Sequence, residues 1–404
     1  MRTVSGRWAA RLAARCMLAL AVALGQTAAS VPRAAAQQER GGEPVLKSTR
    51  AILIDADTGA VLYQRSADEL VAPASMSKIM LLLMVFMALR SGELKLDAEF
   101  LMSLNAWRTG GAPSRTSSMF VPLGKTATVD ELIKGIIVQS GNDAAICIAE
   151  NMKGSEAVFA EWMTQEARRL GLKKSVFKNA TGLHHPEHLM TMRETAMLAR
   201  HIIKEFPEYY QMFAQREFQY RRHKFVNRNP LLGVVPGVDG LKTGYLEASG
   251  YSLVASAKQD NRRLVIAISG AESQADRRDD GKRLLEWGFK NYSEAKLFEA
   301  GEIVGHARIW GGQRMYMPLV GGNGGVSVVL PRVPANPKVT ARIHYTGPLK
   351  PPLKKGQQVA VLRVTTSTDA TSDVPLYAAE DVGPAGFMWR GLDSLLYLAT
   401  RWIP

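Results

Sequence analysis

The chain of 404 residues is too long for one ordinary domain and implies two or three. Its 46% hydrophobic and 22% charged residues are those of a globular protein. Lys and Arg outnumber Asp and Glu by 51 to 37, so the formal net charge is +14 and an anionic partner is expected.

The first 36 residues differ from the rest. Arg2, Arg7, Arg11 and Arg15 precede the apolar run Cys16 to Leu24, small residues follow, and Ala34-Ala35-Ala36 supplies an A-x-A cleavage site. With no acidic residue, this segment reads as a secretory signal cut after Ala36, with Ala28-Ala29-Ser30 as a nearer alternative; the blander reading is a short buried helix. Its removal takes five arginines and lowers the net charge to +9. Export argues against nucleic acid as the anionic partner and favours an envelope polymer or a lipid surface. Cys16 leaves with the signal, so Cys147 has no intramolecular disulfide partner and reads as a buried, inert thiol.

Residues 37–47 form a polar linker. The two β-rich runs Ala51 to Asp55 and Ala60 to Gln64, around a Thr58-Gly59 turn, read as a hairpin. Ser75 and Lys78 follow, one turn apart at the mouth of a helix, so the Lys78 amine reaches back to the Ser75 hydroxyl. Ile79 to Leu89 is apolar on every face, which marks a buried pillar; a membrane span needs about 20 such residues, and Arg90-Ser91-Gly92 ends the run early. Taken alone, such a pair is far more often an N-cap and a solvated neighbour.

A loop-rich region, Asn105 to Pro122, leads to helical periodicity from a Thr128 cap to Ser140, interrupted at Gly141 and resumed over Asn142 to Glu150. Glu156 to Leu170 and Arg193 to Lys204 are further helices. The loop between them carries His184, His185 and His188, which mimic a metal cluster but lack supporting acidic ligands and read as solvated. Gly237 to Gly244 begins a strand, Tyr251 to Lys258 and Arg263 to Ser269 form a second hairpin, and Arg277 to Phe289 is a closing helix. Residues 48–292 are therefore an α+β domain. Residues 293–382 hold short alternating runs and make a small β-rich domain. Within 386–404, Met388, Leu392, Leu395, Leu396, Ala399, Trp402 and Ile403 share one helical arc, with Arg390, Asp393, Ser394 and Arg401 opposite. That amphipathic helix suits a membrane interface; docking on the β domain is the alternative.

Three separated features, Ser75-x-x-Lys78, Ser140-Gly141-Asn142 and Lys242-Thr243-Gly244, resemble in order and context the active-site set of penicillin-binding proteins and serine β-lactamases. With Pro73 to Lys78, Gln139 to Asp143, Asn227-Arg228-Asn229, Val238 to Gly244 and Leu285 to Phe289, the chain from Ala51 to about Tyr292 resembles the low-molecular-mass D-alanyl-D-alanine carboxypeptidases, peptidase family S11. The resemblance implies a transpeptidase-like α+β catalytic domain, a β-rich stalk and a C-terminal membrane anchor. It implies an exported, periplasmic enzyme peripherally attached to the outer face of the cytoplasmic membrane. The implied reaction removes the terminal D-alanine from peptidoglycan stem pentapeptides, needs no cofactor or metal, and is blocked by β-lactam acylation.

By the same resemblance Ser75 is the nucleophile, Lys78 its base and Ser140 a proton relay to the leaving amine. Asn142 holds the substrate amide or Lys78, and the N–H groups of Ser75 and Tyr245 form the oxyanion hole. Lys242 and Thr243 receive the terminal carboxylate, aided by Arg277 or its neighbour Arg278. A lysine base must be neutral, which requires a pKa drop of roughly three units, or about 4 kcal/mol. Burial and the like charge of Lys242 are the expected causes. Tyr245 replaces the His found in many relatives, and a tuned substrate preference is expected. Met192-Arg193-Glu194 replaces the family's S-A-R-D-like stretch, with no evident role. The alternatives are an endopeptidase on peptide cross-links, a β-lactamase, disfavoured because no E-x-x-L-N segment lies between Ser140 and Lys242, and a non-catalytic peptidoglycan-binding protein, which needs no nucleophile. The oligomeric state is not legible.

Overall fold

A computed structural model describes residues 42–322, 324–332, 339–366 and 371–400. The expected signal segment, residues 37–41 of the linker and Trp402 lie outside these residues. The chain divides into two compact units, Pro44–Glu294 and a second from Ala295 onward.

The first unit is built on an antiparallel sheet of five strands in the order β2-β1-β9-β8-β7. These are β1 (Arg50–Asp55), β2 (Val61–Arg65), β7 (Val238–Leu246), β8 (Gly250–Gln259) and β9 (Arg262–Ala271). The β1–β2 turn is set by Asp55, whose carboxylate accepts from Thr58 N at 2.9 Å and Thr58 Oγ1 at 2.8 Å, while Gly59 takes a φ of +76°. Strand β1 pairs with β9 in a register that sets Ile52 opposite Ala267 and Leu53 opposite Ile266. Both faces are covered, so β1 is buried along almost its whole length. One face receives α8 (Gln274–Asn291), where Gly281 and Gly288 let the helix approach Leu253, Leu53 and Leu264. Asp280 of that helix accepts from Ser48 N at 2.6 Å and Ser48 Oγ at 2.7 Å, tying down the chain just before β1.

The other face packs on α1 (Lys78–Ser91). Its residues Ile79 to Phe86 are completely buried, so the apolar run is a core pillar, as its all-round pattern requires. Around it stand α3 (Val129–Lys134), α4 (Asn142–Lys153), α5 (Glu156–Arg169) and α6 (Met192–Glu205). Thr128 and Glu131 form a reciprocal capping box at the start of α3. The region expected to be loop from Asn105 contains a further helix, α2 (Leu104–Gly110), capped by Ser103 and tied through Ser103 Oγ to Glu150 at 2.5 Å. Its seven residues are too few for a periodic signal. An unforeseen hairpin, β5 (Glu217–Tyr220) with β6 (His223–Val226), buries Phe218, Tyr220 and Phe225 in the same core. Two short strands, β3 (Glu99–Leu101) and β4 (Thr126–Thr128), pair beside α3.

The second unit is a β structure: a five-stranded antiparallel sheet between Ile303 and Ala378 and a two-stranded one, with a separate apolar core. It ends in helix α9 (Phe387–Thr400). Asp393, assigned by the helical pattern to the solvated side, is 4% exposed; it accepts from Gly311 N at 2.7 Å and pairs with the Arg308 guanidinium. The helix thus docks on the β unit through its polar side. Phe387, Met388, Trp389, Leu392 and Leu395 remain exposed.

Candidate active site

The pillar does not begin as an α-helix. Ala74 has a φ of +51°, Ala74–Ser77 is a 3-10 turn, and regular helix starts at Lys78. In a 3-10 turn residues three apart eclipse. Lys78 Nζ consequently lies 2.9 Å from Ser75 Oγ, as the spacing predicts. The same amine donates to Asn142 Oδ1 at 2.7 Å and to the Thr181 carbonyl at 2.5 Å. Asn142 and Thr181 oxygens are acceptors only, whereas a serine hydroxyl donates or accepts. A neutral amine has two N–H bonds and one lone pair. Satisfying the two obligate acceptors leaves the lone pair facing Ser75.

Burial, the largest cause, lowers the Lys78 pKa from 10.5 to about 7; the Arg228 charge lowers it further, and Glu156 and Asp143 oppose the change. Arg228 is a like charge beyond the expected one, and the expected repulsion between Lys78 and Lys242 is borne by Lys242. Lys242 is itself 2% exposed and held well below its ordinary value, by burial first and then by Lys78, Arg228 and Arg277.

The second element comes from a broken helix. After α3 the backbone widens into a π turn, Gly135–Gln139, and Ser140 takes the left-handed conformation at φ 63°. The break expected at Gly141 thus falls on Ser140, a residue that pays for this geometry. Its hydroxyl is buried without a hydrogen-bond partner among the described residues. Asn142 opens α4, and its Nδ2 donates to Thr116 Oγ1 at 2.9 Å. Asp143 accepts from Ser118 Oγ, Met119 N, Val121 N and Ala144 N, so the segment 116–121 is fastened to the start of α4.

The third element is edge strand β7. Gly244 packs on the 3-10 turn, where a Cβ would meet Ala74 Cβ at 3.0 Å and the Pro73 carbonyl at 3.1 Å. This close approach brings Lys242, Thr243 and Tyr245 to the mouth of the pillar. Asn229 Nδ2 donates to the Gly240 carbonyl at 2.8 Å, and Arg263 clamps Asp239 through both carboxylate oxygens, fixing the start of the strand. Tyr245 is exposed and stacks on Tyr251 at 4.3 Å, and the Arg277 guanidinium lies 5.6 Å from the Tyr251 ring centre. Arg277 is buried with Nε unpartnered among the described residues; Arg278 is exposed and paired with Asp279.

Several contributors carry no strong sequence signal. Thr181 acts through a backbone carbonyl. The loop holding it is an Asx turn in which Asn179 Oδ1 accepts from Gly182 N at 2.7 Å, and Asn-x-x-Gly was the available clue. Glu156 accepts from Ala180 N at 2.9 Å in that same loop. Glu194, part of the stretch without an evident role, accepts from Lys174 N and Ser175 N, while Arg193 grips Asp68. His184 is exposed but His188 is buried against Phe177, and burial lowers its pKa to about 4, which corrects the solvated reading. Cys147 is buried and its thiol is pushed up to about 12.

A profile of the family described as D-alanyl-D-alanine carboxypeptidase, peptidase S11, matches residues 36–273. The chain belongs to this family. A profile described as the C-terminal domain of penicillin-binding protein 5 matches residues 292–384. The carboxypeptidase DacC of Escherichia coli is 34% identical over 92% of this chain and 93% of its own length. The crystal structure of penicillin-binding protein 5 from Haemophilus influenzae superposes with a TM-score of 0.73 at 31% identity, covering 85% of this chain and 99% of that one. Penicillin-binding protein D2 of Listeria monocytogenes, solved with ampicillin bound, gives 0.52 at 27% identity over 60% of this chain and 98% of its own.

In this carboxypeptidase the loop glycine is indispensable. A Cβ at Gly182 would lie 1.9 Å from the Ala74 carbonyl oxygen, at a φ of +82°. Gly182→Ala is expected to push the Thr181 carbonyl off Lys78 and slow penicillin acylation by at least about tenfold, following the sensitivity of catalysis to small displacements. Stopped-flow acylation kinetics, with circular dichroism to verify folding, measure this.

Proposed function

We propose that the protein is a serine D-alanyl-D-alanine carboxypeptidase acting through an acyl-enzyme on Ser75. The observation that carries this reading is the bonding of the Lys78 amine, which has two obligate acceptors and Ser75 as its third neighbour. Lys78 is the base. Ser75 Oγ attacks the carbonyl carbon of the penultimate D-alanine as its proton passes to Lys78 Nζ. The N–H groups of Ser75 and Tyr245 receive the negative oxygen. Collapse breaks the amide bond, and the terminal D-alanine leaves with a proton returned from Lys78 through the unpartnered Ser140 hydroxyl. Water then hydrolyses the ester and restores Ser75.

The substrate carboxylate has a matching site. Lys242, Thr243 and Arg277 are buried at one end of the cleft. Desolvation disfavours the charge on Lys242 when the site is empty, and an arriving carboxylate restores it. The anion therefore supplies a counter-charge, which these two side chains lack among the described residues. A β-lactam places its own carboxylate and strained carbonyl in the same two positions. Free D-alanine should be released from a short peptide ending in D-Ala-D-Ala, and mass spectrometry should find one penicilloyl adduct. Ser75→Ala abolishes both; an adduct of equal yield on that variant overturns the assignment.

The protein is exported through its N-terminal signal and rests on the outer face of the cytoplasmic membrane, with periplasmic peptidoglycan as its substrate. Support for the anchor comes from α9, docked by Asp393 so that its exposed apolar residues face away from the β unit. Truncation after Gly386 should move the mature protein to the soluble fraction with full peptide activity. Retention of the truncated form in the membrane fraction contradicts the anchor.

A further inference from the structure

The β5–β6 hairpin carries four consecutive basic residues, Arg221-Arg222 at its turn and His223-Lys224 at the start of β6. The motif chemistry of the cleft makes no use of them. Their position is fixed by burial of Phe218, Tyr220 and Phe225 beneath them and by packing of both strands on the π turn that leads to Ser140. His223 stacks on Phe120 at 4.8 Å, and Phe225 lies 6.3 Å from the same ring. Phe120 belongs to the segment 116–121 whose Thr116 holds Asn142. The basic turn is thus one aromatic layer from the segment that holds Asn142.

Charge on this rim is poorly compensated. Lys224 pairs with Glu217 at 2.7 Å, but Arg221, Arg222 and the exposed Arg115 of the facing loop have no carboxylate partner among the described residues. Arg221 instead lies over the Tyr220 ring at 5.6 Å, with a φ of +52°. Arg228, beyond β6, is committed to Ser117 Oγ at 2.7 Å, which links the two sides of the rim. Exposed cations gathered beside an active site create a field that attracts a polyanion.

We propose that the Arg221–Lys224 turn, with Arg115, is an accessory surface for a peptidoglycan strand, binding carboxylates of stem peptides next to the one being cut. This rests on the carboxypeptidase reading: every stem ends in a carboxylate before and after cleavage, so a strand presents them in series. The surface acts on the polymer and leaves the chemistry at Ser75 untouched. Its contribution is electrostatic and decays over a distance of about 8 Å at physiological salt.

The test compares the full chain with the double variant Arg221→Glu/Arg222→Glu and its milder form Arg221→Gln/Arg222→Gln. Penicillin acylation and D-alanine release from a short soluble D-Ala-D-Ala peptide should be unchanged. Release from purified, uncross-linked peptidoglycan strands at low salt should fall about tenfold for the reversal and less for the neutral form, in the range expected of rim charges that set association. Salt at about 0.5 M should bring the wild type down to the variant's rate. Unchanged release from strands overturns the proposal. So does equal loss on strands and short peptide in both variants, which would place the arginines in the catalytic cleft. A third contrary result is full activity on strands with lost binding to phosphatidylglycerol vesicles, which would make the turn a lipid site. Failure of the carboxypeptidase reading is distinct, because the wild type would then release no D-alanine from either substrate.

Discussion

The arrangement depends on keeping one amine dry. Lys78 has no exposure and three oxygen neighbours drawn from three parts of the chain: its own turn, the start of α4 and the Asn179–Gly182 loop. The charged form of such a group is penalised by lost hydration, and the neutral form is useful only if its lone pair has a single direction open to it. The buried pillar supplies the first condition. Asn142 and Thr181 supply the second.

Supports around this amine follow from the need to hold those two oxygens. Gly182 permits the loop to press against the Ala74 carbonyl, Glu156 takes the Ala180 N–H behind it, and Asp143 ties the 116–121 segment beside Asn142. Glu156 and Asp143 also oppose the lowering of Lys78. Their carboxyls are pushed up by their own burial, which tempers that opposition. Lys242 and Arg277 are desolvated without a carboxylate partner among the described residues, an arrangement suited to an anionic ligand.

Much of this was legible in the chain because it rests on local patterns. The eleven-residue apolar run from Ile79 specifies a pillar, the spacing of Ser75 and Lys78 specifies their contact, and β-rich apolar runs specify β1, β8 and β9. Long-range and backbone-mediated features were not. Nothing in a residue's identity marks the Thr181 carbonyl as an acceptor for Lys78, and the strain placed on Ser140 is visible only once a π turn precedes it. Arg228 was noted as part of a motif, yet its charge acts on Lys78 in addition to the expected repulsion between Lys78 and Lys242. His188 looked solvated because its loop is polar; Phe177 covers it. In α9, helical periodicity assigned Asp393 to water, and the Arg308 guanidinium with the Gly311 N–H made the polar side the docking side.

In the proposed mechanism Lys78 is neutral at working pH and takes the Ser75 proton. The rate of penicillin acylation measured against pH tests it most directly, since the pKa of about 7 is a property of the free enzyme. Below that value the amine is protonated and cannot accept, so the rate should climb about tenfold per pH unit from pH 5 and level off above about 7.5. A rate independent of pH from 5 to 8, or one that continues to rise toward pH 10 as for an ordinary lysine, would contradict the account.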